Sequence, residues 1–251
     1  MASHTVVLIT GVNRGIGHGL FATYLSRPNH TVIGAVRDPA SPVSQALYSL
    51  PTGANSKAII VKIDSASDTD ALAAVHSLQA DHAITALDLV IANAGILNAG
   101  FPRVEHVRPA DMKAHFAVNT VGPVVLFQAV LPLLKAAVTA PKFVTVGSSA
   151  GSIGGMEQRP FPNAAYAPSK AAVHYLTKKI HVEHPELIAL PVDPGWPRTE
   201  MGEMAASHFG FEEAELSVEE SVGGIVRVLD EATREKSSGK LLRWDGVELP
   251  W

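Results

Sequence analysis

Seven short runs, nearly continuous in apolar and β-branched residues, recur along the chain at residues 5–10, 31–36, 58–63, 88–92, 142–146, 187–192 and 240–243. A strand with one wet face alternates apolar and polar residues, whereas a strand buried on both faces does not. Helix-compatible segments separate the runs, at about 15–26, 68–79, 109–137, 164–181 and 217–233, with apolar residues at helical spacing. Strand and helix repeated in this way predict an α/β chain with a doubly wound parallel sheet of about seven strands, helices covering both faces. No linker, repeat or low-complexity stretch interrupts the pattern, so one Rossmann-type domain over residues 1–251 is expected. Residues 149–163, rich in Gly and Pro, and 196–211, which mix Trp, Met and Phe with charges, fit neither template. Both follow strand C-terminal ends, the edge at which open α/β sheets bind ligands.

Composition removes several function classes. The 251 residues are 47% hydrophobic and 18% charged, enough apolar material for a sizeable core. Net charge is −4 with Lys and Arg scattered, so no nucleic-acid or anionic-membrane surface is expected. The absence of cysteine excludes disulfides, thiolate metal sites and cysteine nucleophiles. The first apolar run begins at Thr5, and the most apolar stretch, 121–134, is broken by Pro123, Gln128 and Pro132, too short to span a bilayer. A cytoplasmic protein is expected. His181 and His184 lack the carboxylate spacing of a metal site and read as solvent-facing helix residues; no metal is expected.

Two constellations carry chemistry. Tyr166 and Lys170 stand four apart on one helical face, where the ammonium can favour the phenolate and draw the tyrosine pKa down from about 10, making a proton donor usable near neutral pH. Thr10-Gly11-Val12-Asn13-Arg14-Gly15-Ile16-Gly17 closes the first strand and opens the first helix, the context in which backbone N–H groups receive a pyrophosphate. Proton donor and dinucleotide together suggest reduction of a carbonyl by hydride. A rival is written in Gly147-Ser148-Ser149-Ala150-Gly151, which fits the nucleophile elbow of a serine hydrolase with Asp193 and His208 as partners. An elbow must lead into a helix, and 152–163 reads as a loop. A non-catalytic dinucleotide sensor would keep the glycine turn without the catalytic groups.

These elements stand in a familiar order. Asn93-Ala94-Gly95 ends the fourth strand, Asn119 lies in the next helix, Ser148 follows the fifth strand, Tyr166 and Lys170 come next, and Asp193-Pro194-Gly195-Trp196-Pro197-Arg198-Thr199 follows the sixth. With the glycine turn, the chain resembles the short-chain dehydrogenase/reductase family along nearly its whole length, and within it the small NADPH-dependent carbonyl and ketone reductases. The resemblance implies a tetrad of Asn119, Ser148, Tyr166 and Lys170. In it Ser148 holds the substrate carbonyl, Tyr166 gives the proton, Lys170 tunes it and binds the nicotinamide ribose, and Asn119 holds a water that returns protons to the lysine. It further implies cofactor contacts at Gly11, Asn13, Arg14, Gly15, Ile16, Gly17, Asp64, Asn93, Ala94, Gly95, Pro194, Gly195 and Thr199, and association as a homodimer or homotetramer through the long helices.

Cofactor choice falls at the end of the second strand, where an acid accepts from a ribose 2′-hydroxyl and an arginine pairs with a 2′-phosphate. Arg37 is the first residue beyond the strand, Asp38 the second, and Arg14 can supply another cation, so NADP(H) is expected. Trp196, Met201, Met204, Phe209 and Phe211 are too closely spaced for one core-facing stripe. Residues 196–212 are therefore expected to form a substrate lid, with Met156 and Phe161 as the opposite wall and a bulky, apolar ketone as the substrate.

Overall fold

The computed structural model describes residues 4–97 and 100–251. Its strands are β1 (Thr5–Thr10), β2 (His30–Val36), β3 (Lys57–Lys62), β4 (Leu89–Ala92), β5 (Lys142–Val146), β6 (Ile188–Asp193), β7 (Leu241–Arg243) and β8 (Glu248–Leu249). They form one sheet in the order β3-β2-β1-β4-β5-β6-β7-β8. All pairings are parallel except β7 with β8, a two-residue antiparallel edge beyond the seven expected strands. Strand β1 lies between β2 and β4, so the crossovers leave it in opposite directions and open a crevice at the C-terminal strand ends.

The helices are α1 (Gly15–Leu25), α2 (Pro42–Ala46), α3 (Asp70–His82), α4 (Pro109–Phe116), α5 (Gly122–Lys135), α6 (Tyr166–Glu183), α7 (Glu200–Phe209) and α8 (Val218–Asp230). Side-chain alternation along β1 divides the core. Val7 and Ile9 pack with Leu20 and Phe21 of α1 and Ile225 and Leu229 of α8. Leu8 packs on the opposite face with Leu78 of α3, Leu126 and Leu134 of α5, and Phe143. Both faces are dry, which is why the strands read as continuous apolar runs; each such side chain contributes about 1.5–3 kcal/mol.

Three expectations change. Residues 196–211 contain α7: Thr199 Oγ1 accepts from Gly202 N–H (3.1 Å), Glu200 and Glu203 oppose the positive end of the helix dipole, and Gly210 ends the helix at φ +78°. Gly202 weakens the helical pattern in the sequence, yet a Cβ there would lie 2.0 Å from the Pro197 carbonyl. The helix expected over 109–137 is divided by a π-helical turn at Ala117–Val121. The 27 residues from Pro109 to Lys135 would be long and apolar enough to cross a bilayer by length and composition alone, but Leu126, Phe127, Val130, Leu133 and Leu134 lie in the core. Finally, His181 and His184 are half-buried rather than solvent-facing: His181 Nδ1 bonds Ser238 Oγ (2.8 Å) and His184 Nδ1 meets Glu186 (3.3 Å).

Candidate active site

The glycine turn is built by close approach. Gly11 and Gly15 hold φ of +72° and +57°, and a Cβ on Gly17 would lie 2.1 Å from the Gly11 carbonyl and 2.4 Å from Asn93 Nδ2. Asn93 Nδ2 donates to the Thr10 and Gly11 carbonyls (2.8 and 3.2 Å), while Thr10 Oγ1 accepts from the N–H groups of Asn93 and Ala94 (3.1 and 3.0 Å). The end of β4 is thereby stitched to the end of β1. Helix α1 starts with no side-chain cap and no acid in its first turn, leaving its N–H groups and dipole for an anion. Its first residues, Gly15, Ile16 and Gly17, bring the backbone to the crevice.

At the end of β2, Arg37 is exposed, while the Asp38 carboxylate accepts from Ala40 N–H (2.9 Å) and its carbonyl from the Ser41 and Ser44 hydroxyls (3.0 and 2.7 Å). Asn13 Nδ2 donates to Ser44 Oγ (2.9 Å), joining the glycine turn to this corner. Arg14 forms an exposed ion pair with Glu200 in the first turn of α7. Asp64 caps its own turn through Ala66 N–H (2.9 Å).

Tyr166, Ser169 and Lys170 occupy the first turns of α6. Lys170 is 4% exposed, its Nζ donates to the Val146 carbonyl (2.7 Å), and it lies 5.6 Å from the Tyr166 ring centre. Burial pushes Lys170 down to about 8 and Tyr166 up from its ordinary value, with the Ser148 hydroxyl opposing the rise. The expectation that the lysine draws the phenol down is therefore outweighed here by desolvation. Ser148 Oγ accepts from Ala150 N–H (3.2 Å), and Ser148 N–H donates to His174 Nε2 (3.2 Å).

Asn119 sits in the π-turn, 1% exposed. Its Oδ1 accepts from Ile96 N–H (2.8 Å), and its Nδ2 donates to the Ile96 carbonyl (3.0 Å) and Ser169 Oγ (3.1 Å). Both amide hydrogens are engaged by protein, so the side chain clamps the β4 loop to α6. Gly95 completes the contact: a Cβ there would lie 3.2 Å from Asn119 Oδ1 and 3.7 Å from Lys170 Nζ.

Most of the remaining expected residues follow the end of β6, from Pro194 into α7. Gly195 (φ +73°) turns the chain where a Cβ would meet Leu216 and Trp244, and the Pro194 carbonyl accepts from Ser221 Oγ (2.7 Å). The Thr199 methyl packs on Gly15 while its hydroxyl caps α7. Trp196 Nε1 donates to the Gly202 carbonyl (3.0 Å), and its ring stacks edge-on against Phe211 at 5.3 Å. Phe209 meets both Phe161 and Phe101 at 4.6 Å, and Phe101 meets His208 at 4.7 Å. Met156, in a 3₁₀ turn before α6, and Met204, on α7, are 58% and 40% exposed, and Met201 is half-buried on α7. Ser148 leads into a single 3₁₀ turn, Ser149–Gly151, and His208 belongs to the aromatic cluster, so the hydrolase arrangement is not formed.

The sequence reading missed His174, Ser169 and Phe101, and gave the Thr10 hydroxyl no role. His174 continues the four-residue spacing of Tyr166 and Lys170 and is 2% exposed. Five buried polar atoms among the described residues lack a partner, and four of them, on His115, Asn163, His174 and Asp193, belong to residues around Tyr166 and Lys170. The fifth is the Tyr24 hydroxyl. Such a concentration suits a site that takes a ligand, and the bare glycine turn fits a dinucleotide pyrophosphate.

A norsolorinic acid ketoreductase of Dothistroma septosporum is 43% identical over 254 residues, covering 100% of this chain and 94% of that protein. An NADPH-bound carbonyl reductase from chicken fatty liver superposes with TM-score 0.85 at 30% identity, covering 99% of both chains. The carbonyl reductase Sniffer of D. melanogaster does so with TM-score 0.82 at 26% identity, over 99% of this chain and 100% of that one. The family model for short chain dehydrogenases matches residues 5–208, a span that holds the glycine turn, Asn119, Ser148, Tyr166 and Lys170. The chain is an oxidoreductase that belongs to the short chain dehydrogenase family.

Proposed function

We propose that the protein reduces the carbonyl of a bulky, largely apolar ketone to an alcohol with NADPH, Tyr166 delivering the proton. The observation that carries this reading is the meeting of Ser148, Tyr166 and Lys170 with the glycine turn across the ends of β1, β4 and β5. NADPH, when bound, supplies the hydride. Ser148 Oγ accepts from Ala150 N–H, which leaves its hydrogen to donate to the substrate oxygen and stabilise charge developing there. Tyr166 gives its proton to that oxygen, and the Lys170 ammonium, held by the Val146 carbonyl, favours the phenolate left behind. Asn119 keeps the β4 loop and α6 in register, so it acts by positioning.

Arg37 supports NADPH over NADH, because it stands at the strand end with its guanidinium exposed, whereas Asp38 is occupied in its own turn. The relatives named as NADPH-bound carbonyl reductase and norsolorinic acid ketoreductase agree with this choice and with a ketone substrate. The aromatic cluster of Phe101, Phe161, Phe209, Phe211 and Trp196, in which Phe161 and Phe211 are still exposed, supports an apolar wall beside α7 that a bulky substrate would cover. A panel of ketones of graded size, assayed with NADPH and NADH, tests the reading. Bulky apolar ketones should give the highest kcat/KM. NADPH should be preferred by about tenfold or more, the worth of one charge-assisted contact, and Arg37→Ala should remove most of that preference. Better use of NADH would overturn the role of Arg37, and highest kcat/KM for small keto acids would overturn the lid.

A further inference from the structure

Asp193 ends β6 with its side chain buried, 2% exposed, inside the site but outside the tetrad. One oxygen, Oδ1, accepts from Gly195 N–H (3.3 Å); Oδ2 has no partner. Strand alternation fixes the direction it faces. Ile188, Leu190 and Val192 point into the core under α1 and α8, and Ala189 points into the opposite core under α5 and α6. Asp193 shares the parity of Ala189, so its carboxylate lies on the face that carries Tyr166 and Lys170. The register agrees: β6 runs parallel to β5 with Val192 opposite Val146, and Gly147 N–H donates to the Val192 carbonyl (2.8 Å). The Lys170 ammonium rests on the Val146 carbonyl, one residue along the neighbouring strand.

We propose that Asp193 is a positioning residue that acts through Lys170: its buried carboxylate is the counter-charge that keeps the Lys170 side chain an ammonium at the pH at which Tyr166 gives up its proton. This rests on the reductase reading of the site. A buried ammonium without a carboxylate pays a desolvation penalty and sheds its proton. Val146 offers only a neutral carbonyl, and Asp193 supplies charge from the adjacent strand. Burial lowers Lys170 and Asp193 opposes that fall, while the same carboxylate adds to the rise of Tyr166. Among the other groups facing Asp193, the charge of Arg159 favours its carboxylate. Arg243 on β7 is paired bidentately with Asp245 (2.9 and 2.5 Å), Arg159 is exposed on the loop before α6, and buried His174 is pushed down to about 3 and stays neutral. Burial itself pushes the Asp193 carboxyl above the usual carboxylate range, and the nearby N–H and hydroxyl of Ser149 oppose that rise without adding charge.

Asp193→Asn keeps the acceptor for Gly195 N–H and removes the charge; Asp193→Ala removes both. The titration of Lys170 is read by NMR of ¹³Cε-labelled lysine, its signal assigned by loss in Lys170→Met, alongside the pH profile of kcat in NADPH-dependent ketone reduction. Both Asp193 variants should move the Lys170 titration to lower pH and carry the alkaline limb of kcat with it by about one unit or more. At pH 9 activity then falls about tenfold further than at pH 6. An unmoved Lys170 titration in folded Asp193→Asn, or a shift only in Asp193→Ala, would overturn the proposal and leave Asp193 as a turn-forming residue. A shifted titration in a protein that reduces no ketone would overturn the reductase reading and leave the Asp193–Lys170 coupling standing.

Discussion

Replacing Gly17 by Ala tests whether the glycine turn is held by contact geometry. The added Cβ would lie 2.1 Å from the Gly11 carbonyl oxygen and 2.4 Å from Asn93 Nδ2, both inside contact distance, so α1 must retreat from β1 by roughly 1 Å or more. Overpacking of this kind costs about 1–3 kcal/mol. The Asn93 bonds to the Thr10 and Gly11 carbonyls weaken with it, at about 1 kcal/mol each, for a total of about 3–5 kcal/mol. Against a stability toward the upper part of the usual range of about 5–15 kcal/mol the variant still folds, with Tm lowered by roughly 6–20 °C for a chain of this size. NADPH affinity should fall about tenfold or more, because the N–H groups that receive the pyrophosphate move with α1. Gly223→Ala is the matched control: it lies exposed on α8, its Cβ would meet nothing within 4 Å, and it should stabilise by about 1 kcal/mol with affinity unchanged. Differential scanning fluorimetry and NADPH fluorescence titration read both quantities. Wild-type Tm and affinity in Gly17→Ala would refute the reasoning.

Two further outcomes concern side chains around this turn. Glu200→Gln releases Arg14 from its exposed ion pair, so KM for NADPH should fall about two- to fivefold with NADH unaffected; steady-state titration of both cofactors checks it, and a rise in KM for NADPH would contradict it. Burial holds His174 at about 3, below its ordinary value, so its contribution to stability is present above pH 6.5 and is lost as pH falls toward 3. His174→Gln keeps an acceptor for Ser148 N–H and should make urea stability fall less steeply between pH 6.5 and 4, by up to about 1.4 kcal/mol per pH unit; an unchanged slope would count against the buried neutral imidazole.

The sheet was legible because strands dry on both faces leave an unmistakable apolar run, and β1 to β7 fall where those runs lie. The edge strand β8 was not, since two residues carry no periodicity. Helix α7 hid behind Gly202, whose presence answers to the Pro197 carbonyl rather than to helix propensity. The positions of Tyr166, Lys170 and Ser148 were readable from spacing and order. The side-chain bonds of Asn119 were not, because they depend on a π-turn that brings position 119 against Ile96 and Ser169, two contacts remote in sequence. The direction of the Tyr166 shift was equally out of reach, since the spacing of two residues gives their mutual charge effect but not how much water the fold removes from them.

The most direct test of the account is Tyr166→Phe, which deletes one oxygen from a half-buried ring and leaves the glycine turn untouched. Turnover of any ketone that the wild type reduces should fall by about a hundredfold or more, while the NADPH dissociation constant, read by fluorescence titration of the same preparation, stays within about twofold. Wild-type turnover in that variant would contradict proton delivery by Tyr166.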